Sequence, residues 1–259
     1  MCNSIFKERL MNILLTNDDG YKASGINALF ESLSLEHNVY LIAPKENCSG
    51  MSAAISLRKE IEVKEISKNI FSVSGTPADC SYLGLLSVIP NSIEMIVSGI
   101  NLGANLGEDI FYSGTVGAAI AGRRLDYVPV AFSVSAYSPE NLQFISETAS
   151  IITNQVAKLP SDKNLLVNVN FPDLPSSKVK GTRITSLGKR GTPDIPDLTR
   201  VQDASKFYSF GPSGKLLPDQ LGTDIQAIEE NYISISILDY NLTSEEMNWD
   251  FYKEIFNCE

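Results

Sequence analysis

Histidine is almost absent from this chain: among 259 residues, His37 is the only one. An imidazole-dependent hydrolase would have to rest on that single residue. Its place is wrong for the task, because it lies between a helical segment and the amino end of a strand, and it reads as a surface loop residue. The motif G-x-S-x-G is missing, which removes the usual nucleophile elbow. So is G-x-x-x-x-G-K-[ST], which removes a P-loop, and Gly103-x-x-x-Gly107 does not fit G-x-G-x-x-G. Basic residues are scarce: 21 Lys and Arg stand against 31 Asp and Glu, a net charge of −10. That balance argues against a protein built for polymeric nucleic acid. It leaves room for a small anionic ligand if a divalent cation inverts the local field. No apolar run approaches the roughly 20 residues that span a bilayer, so no membrane partner is expected. Residues 1–10 hold Lys7, Glu8 and Arg9 and no apolar stretch of the secretory type, and are set aside as an extension. The four cysteines, Cys2, Cys48, Cys80 and Cys258, form no C-x-x-C pair. A zinc ribbon is therefore unsupported, and a reduced, cytoplasmic setting is expected.

What is present is alternation. The run 12–16 (NILLT) is short and apolar and stops at Asn17-Asp18-Asp19-Gly20, as a buried strand does at a turn. Residues 26–35 carry Ile26, Leu29, Phe30 and Leu33 at helical spacing, and 38–43 (NVYLIA) is a second strand before Pro44. Strand, helix, strand predicts a βαβ unit and a parallel sheet. The pattern continues with hairpin material at 55–73 and a helix over 77–88, with Thr76 as cap and Pro77 in its first turn. Then come strand 95–98, helix 116–125, strand 129–134, helix 139–158 capped near Ser138, and strand 165–170. From Pro172 to Gly222, Pro and Gly punctuate a stretch that reads as hairpins or an extended arm. A strand returns at 232–238, and Thr243-Ser-Glu-Glu246 forms a capping box that opens a last helix. The expected organisation is an extension (1–10), an α/β core (11–175), and a C-terminal region (176–259) of arm, returning strand and terminal helix.

Ligands of an open parallel sheet bind beyond the carboxyl ends of its strands. Three polar clusters fall there: Asn17–Gly20, Asn47-Cys48-Ser49-Gly50, and Ser98 through Asn105. Adjacent carboxylates repel unless they are exposed or neutralised by a cation. A solvated turn accounts for Asp18 and Asp19 taken alone. Hydroxyl and amide oxygens from the other two clusters tilt the reading toward Mg²⁺ or Mn²⁺, which prefer such a shell. Ser113-Gly114-Thr115, ahead of a helix, fits either a phosphate seat or a plain helix cap.

At this point the sequence resembles the SurE family, the stationary-phase survival proteins that act as metal-dependent nucleotidases. The stretches that carry the resemblance are ILLTNDDG (13–20), GI (25–26), AP…SG (43–50), SGTPADC (74–80), IVSGINLGANLG (96–107), YSGTVGAAIAG (112–122), NVNFP (168–172), SLGKRG (186–191) and GTDIQAI…YISI (222–235). They run in order along nearly the whole chain from Met11. The resemblance implies a Rossmann-like, mainly parallel sheet flanked by helices, with a β-rich C-terminal arm. It implies phosphate release from nucleoside 5′- and 3′-monophosphates, in some members with exopolyphosphatase activity. By match to the motifs, the metal ligands are Asp18, Asp19, Ser49 and Asn101, with Asp18 and Asp19 also as catalytic groups. Asn105, Ser113, Gly114 and Thr115 would line the same pocket and meet the phosphate. A homodimer or homotetramer through the arm is implied as well. The contrasting reading is a sensor that binds nucleotide and metal without turnover.

Overall fold

A computed structural model describes residues 10–160, 164–210, 214–215, 217, 220–243 and 248–256. Strand β1 (Asn12–Thr16) pairs in parallel with β2 (Asn38–Pro44) on one side and β5 (Met95–Leu102) on the other. Its side chains alternate faces, and both faces are covered. Ile13 and Leu15 enter a core with Ile26, Leu29 and Leu33 of helix α1 (Ser24–Leu33) and with Ile145, Ala149 and Ile152 of helix α4 (Leu142–Val156). Leu14 and Ile96 enter the opposite core, with Ile42 and with Cys80 of helix α2 (Pro77–Leu83). Burial from both sides is why these strands read as unbroken apolar runs instead of alternating ones.

The hairpin β3 (Val63–Ser67) and β4 (Ile70–Val73) lies at one edge of the sheet. Next to β5 come β6 (Val130–Val134) and β7 (Leu165–Phe171), both in parallel. The full order is β3-β4-β2-β1-β5-β6-β7-β11-β8, where β8 is Thr182–Thr185 and β11 is Ile233–Asp239. Strand β11 runs antiparallel to β7 and parallel to β8, so the sheet is mixed only toward its edges. From β1 the chain winds first toward β2 and later toward β5. The switch point therefore lies between the carboxyl ends of β1 and β5.

Thr76 caps α2 as expected: its hydroxyl accepts from Asp79 N–H while the Asp79 carboxylate accepts from Thr76 N–H, a complete capping box. Several boundaries differ from the sequence reading. β5 continues to Leu102, past Gly99, so the third polar cluster begins on the strand itself. The register shifts between Ser98 and Asn101, which absorbs the irregular Gly-Ile step. Helix α3 spans Gly114–Ile120, earlier than expected. α4 starts at Leu142 and not near Ser138, because the Asp173 carboxylate accepts from Glu140 and Asn141 N–H and ends the preceding loop there. The segment 55–62 is not strand. The arm contains one separate hairpin, β9 (Asp197–Gln202) with β10 (Ser205–Ser209). The last helix, α6, covers Trp249–Phe256, while Ser244–Glu246 of the expected capping box lie outside the described residues. No described helix is long and apolar enough to cross a membrane.

Candidate active site at the switch point

The turn after β1 is built by Asn17, whose side chain accepts from Gly20 N–H and donates to Gly20 O. Gly20 takes φ +102°, a left-handed value that this tight return requires. The turn leaves two carboxylates side by side. Asp18 is buried and Asp19 half-buried. Among the described residues neither forms an ion pair with Lys or Arg. Burial raises Asp18 to about 6, opposed by the Thr115 hydrogen bond and reinforced by the charge of Asp19. Burial also raises Asp19, opposed by the Leu102 N–H.

Hydrogen bonds draw the other predicted segments to this pair. Leu102 N–H donates to Asp19 Oδ2 at 2.9 Å, which fixes the end of β5 and with it Asn101. Cys48 N–H donates to Asp18 O at 2.8 Å, which fixes the loop after β2. Asn47 spans the remaining gap: its Nδ2 reaches Asp19 Oδ1 at 3.5 Å, and its Oδ1 accepts from the Ser49 hydroxyl at 2.7 Å. Asn101 donates its amide to Gly103 O, which leaves Oδ1 as the ligand-type oxygen. Asp18, Asp19, Ser49 and Asn101 thus occupy one rim, on three segments tied to one another.

At α3 the helix-cap reading of Ser113 is realised, and Thr115 has a further role. Ser113 Oγ accepts from Val116 N–H and is the helix cap. Thr115 Oγ1 donates to Asp18 Oδ1 at 2.6 Å, so it orients a carboxylate. A Cβ on Gly114 would lie 2.8 Å from Asp18 Cβ and 2.9 Å from its Oδ2. Only glycine lets this helix start approach Asp18 so closely. Asn105 is buried, its Nδ2 donating to Ser133 Oγ and its backbone gripped by Asn168 and Asn170 of β7.

Sequence reasoning gave no role to Asn47, Asn168, Asn170 or Asp224. Each lies in a motif or cluster already singled out, so the signal was a polar residue in a patterned stretch whose partner was far away in sequence. His37 requires correction. It is buried, not a surface residue: Nδ1 accepts from Met11 N–H at 3.5 Å and Nε2 donates to Asn154 Oδ1 at 3.1 Å. Its location at the amino end of β2, remote from the acidic turn, is as expected. Cys80 is a core residue, while Cys48 is half-buried beside the site.

The doubly wound sheet and its oxygen-rich, acidic switch point define a Rossmann-like α/β protein with a candidate ligand site at the head of β1 and β5. The model of the family described as survival protein SurE matches residues 13–194, and the chain belongs to the SurE family. A protein named 5′-nucleotidase SurE from Ruthia magnifica subsp. Calyptogena magnifica is 36% identical over 233 residues, covering 90% of this chain and 94% of that protein. Its namesake from Pseudoalteromonas atlantica is 35% identical over 236 residues, covering 91% and 95%. The crystal structure of the Aquifex aeolicus SurE protein superposes with a TM-score of 0.81 at 32% identity, covering 95% of this chain and 99% of that one.

Proposed function

We propose that this chain is a divalent-metal-dependent 5′-nucleotidase, a phosphoric monoester hydrolase that releases phosphate from nucleoside monophosphates. The observation that carries the reading is the Asp18–Asp19 pair: two adjacent carboxylates, raised by burial, without an ion-pair partner among the described residues, at the topological switch point. The names borne by the relatives supply the reaction class.

The donor set fits Mg²⁺ or Mn²⁺. It consists of carboxylate, hydroxyl and amide oxygens from Asp18, Asp19, Ser49 and Asn101; no group of three or more His, Cys, Asp or Glu that could hold a metal ion occurs among the described residues, so the set rests on two carboxylates completed by Ser and Asn oxygens. Bound there, the ion would offset phosphate charge and polarise water. The chain's own part is to hold these oxygens in place through Thr115, Leu102 N–H and Asn47. Asp18 or Asp19 accepts the proton of the attacking water. Ser113 and the backbone of Gly114 and Thr115 meet the phosphoryl oxygens, with the Asn105 side chain behind them. Turnover of 3′-monophosphates and of polyphosphate ends belongs to the same reading, as does a cytoplasmic setting.

Assembly into a homodimer or homotetramer is supported by the β9–β10 hairpin. Its residues are all exposed, and they include Leu198, Val201, Phe207 and Tyr208. A monomer by sedimentation at micromolar concentration would refute that part. The decisive test of the activity is phosphate release from a nucleotide panel after chelation. Release should stop and should return with Mg²⁺ or Mn²⁺; full rates in metal-free protein would overturn the reading.

A further inference from the structure

Two successive aromatic residues just ahead of helix α3 are exposed to solvent. Phe111 and Tyr112, at the end of the 3-10 turn Gly107–Phe111, are 61% and 66% exposed. They flank a cavity of about 250 Å³ whose other walls include Glu108, Asp109, Arg190 and Pro193. Exposed rings beside a cavity are surface that a flat apolar ligand would cover.

The cavity is coupled to the switch point by the chain itself. Tyr112 is two residues before Gly114, which touches Asp18. Two Cα steps span at most about 7.6 Å. Ser52 donates from its hydroxyl to Phe111 O at 2.8 Å and from its N–H to Tyr112 O at 3.1 Å, so the aromatic wall is fastened to the loop that carries Ser49. The cavity and the acidic turn thus lie on adjoining segments of chain, as the two ends of one small phosphorylated ligand would require.

Its chemistry selects what the far end is. Arg190 is fixed in a plane: Nε and Nη2 donate to Asp109 Oδ2 at 2.8 and 2.5 Å, and Nη1 donates to Gly214 O at 3.1 Å. A guanidinium held edge-on by such bonds offers its face for stacking. Glu108 and Asp109 outnumber Arg190, so a second phosphoryl group would be repelled, whereas a neutral ring with N–H donors would find an acceptor in Glu108.

We infer that this cavity binds the nucleobase of the nucleotide, stacked on Tyr112 and the face of Arg190. The inference rests on the nucleotidase reading and adds the site of base recognition to it. The test compares adenosine 5′-monophosphate with ribose 5-phosphate, which lacks the base, on wild type, Tyr112→Ala, Tyr112→Phe and Arg190→Lys, with Mg²⁺ or Mn²⁺ supplied. Base stacking on an aromatic is worth about tenfold or more in affinity. The wild-type ratio of kcat/KM for the nucleotide over the sugar phosphate should fall about tenfold in Tyr112→Ala, mainly through KM. It should return in Tyr112→Phe and drop partway in Arg190→Lys. An unchanged ratio in Tyr112→Ala, whether both rates fall together or neither does, overturns the inference. If wild type hydrolyses neither compound, the nucleotidase reading fails separately, and calorimetric binding of the same pair decides the cavity. A preference for the nucleotide that Tyr112→Ala abolishes supports it, and equal binding of the two refutes it.

Discussion

Two buried aspartates mark two regions of the molecule, and their surroundings are opposites. Asp224, at the start of helix α5 (Asp224–Glu229), joins the C-terminal region to the core. Its Oδ2 accepts from Gly107 N–H at 2.7 Å, and its Oδ1 accepts from Gly188 and Ile225 N–H, each at 2.8 Å. Burial raises its pKa, but three backbone donors oppose the rise. Asp18, at the switch point, has the Thr115 hydroxyl on Oδ1 and a second carboxylate as its neighbour. A buried carboxylate whose oxygens are filled by backbone N–H groups is a clamp. One set beside its like, with no Lys or Arg ion pair among the described residues, suits a cation that arrives from outside. The first kind should answer to mutation in stability, the second in activity.

The largest effect tests that division directly. Asp18→Asn and Asp19→Asn keep shape and remove charge from the site. Each should lower nucleotide turnover by about 10² or more at saturating Mg²⁺ or Mn²⁺ while the protein stays folded by circular dichroism. Wild-type rates in either variant would remove that residue from the site.

The clamp should fail differently. Asp224→Ala strips the acceptor from three buried N–H groups, each costing roughly 1–3 kcal/mol when unpaired. A loss of at least about 3 kcal/mol in denaturant titration is expected, with turnover of the folded fraction reduced by less than about tenfold. The modest loss would arise because Gly107 ends the loop that carries Asn105 and follows the strand end carrying Asn101. Its φ of +55° and its tight approach to Gly188 O make that junction intolerant of any other residue. If Asp224→Ala abolished turnover without loss of stability, the contrast between the two regions would collapse.

A third outcome belongs to Asp18 in chelated protein. Its folded-state pKa is about 6 against 3.8 for an ordinary aspartate. The folded form therefore holds the proton more tightly, and the group's favourable contribution is complete below about pH 4. It is lost as pH rises from there through 6, which amounts to about 3 kcal/mol for a shift of about two units. Asn does not titrate. Metal-free Asp18→Asn should thus be more stable than metal-free wild type at pH 8, by up to about 3 kcal/mol, and the gap should narrow by pH 4.5. Equal gaps at both values would show that the carboxylate is not strained by burial.

The Asp18 side of this contrast was legible in the sequence, and for physical reasons. NILLT followed by NDDG can only be a buried strand meeting a polar turn, and a parallel sheet then puts that turn at the ligand edge. The extension of β5 through Asn101 was not legible, because Gly99 reads as a break and only pairing with β6 carries the strand past it. Nor was the partnership of Asp224 with Gly107, 117 residues apart. Spacing rules reach a turn of helix or a hairpin, not a contact between the arm and the core. The cap at Ser113 was legible, but the hold of Thr115 on Asp18 was not, because it needs the packing of Gly114 on Asp18 to be seen.

The smallest expected effect on activity concerns the residue with which a histidine-based mechanism would stand or fall. His37 is buried where α1 ends, between Met11 N–H and Asn154, and Asn154 in turn donates to Glu36 Oε2 at 2.8 Å. That is a structural network tying α1 to α4 at the amino end of β2. The acidic turn lies at the other end, and β2 covers seven residues, about 20 Å at 3.3 Å per residue. No side chain bridges that span. His37→Gln loses the imidazole contacts while keeping a polar amide, so it should cost about 1–2 kcal/mol of stability. Turnover should stay within about twofold of wild type, measured on nucleotide at saturating metal and at a temperature where both proteins are folded. General-base catalysis alone is worth about 10²–10⁴ in rate, so a histidine that took part in the chemistry would announce itself far beyond twofold. A hundredfold fall in a folded His37→Gln protein would move the chemistry away from the carboxylate rim and refute the division between clamp and site.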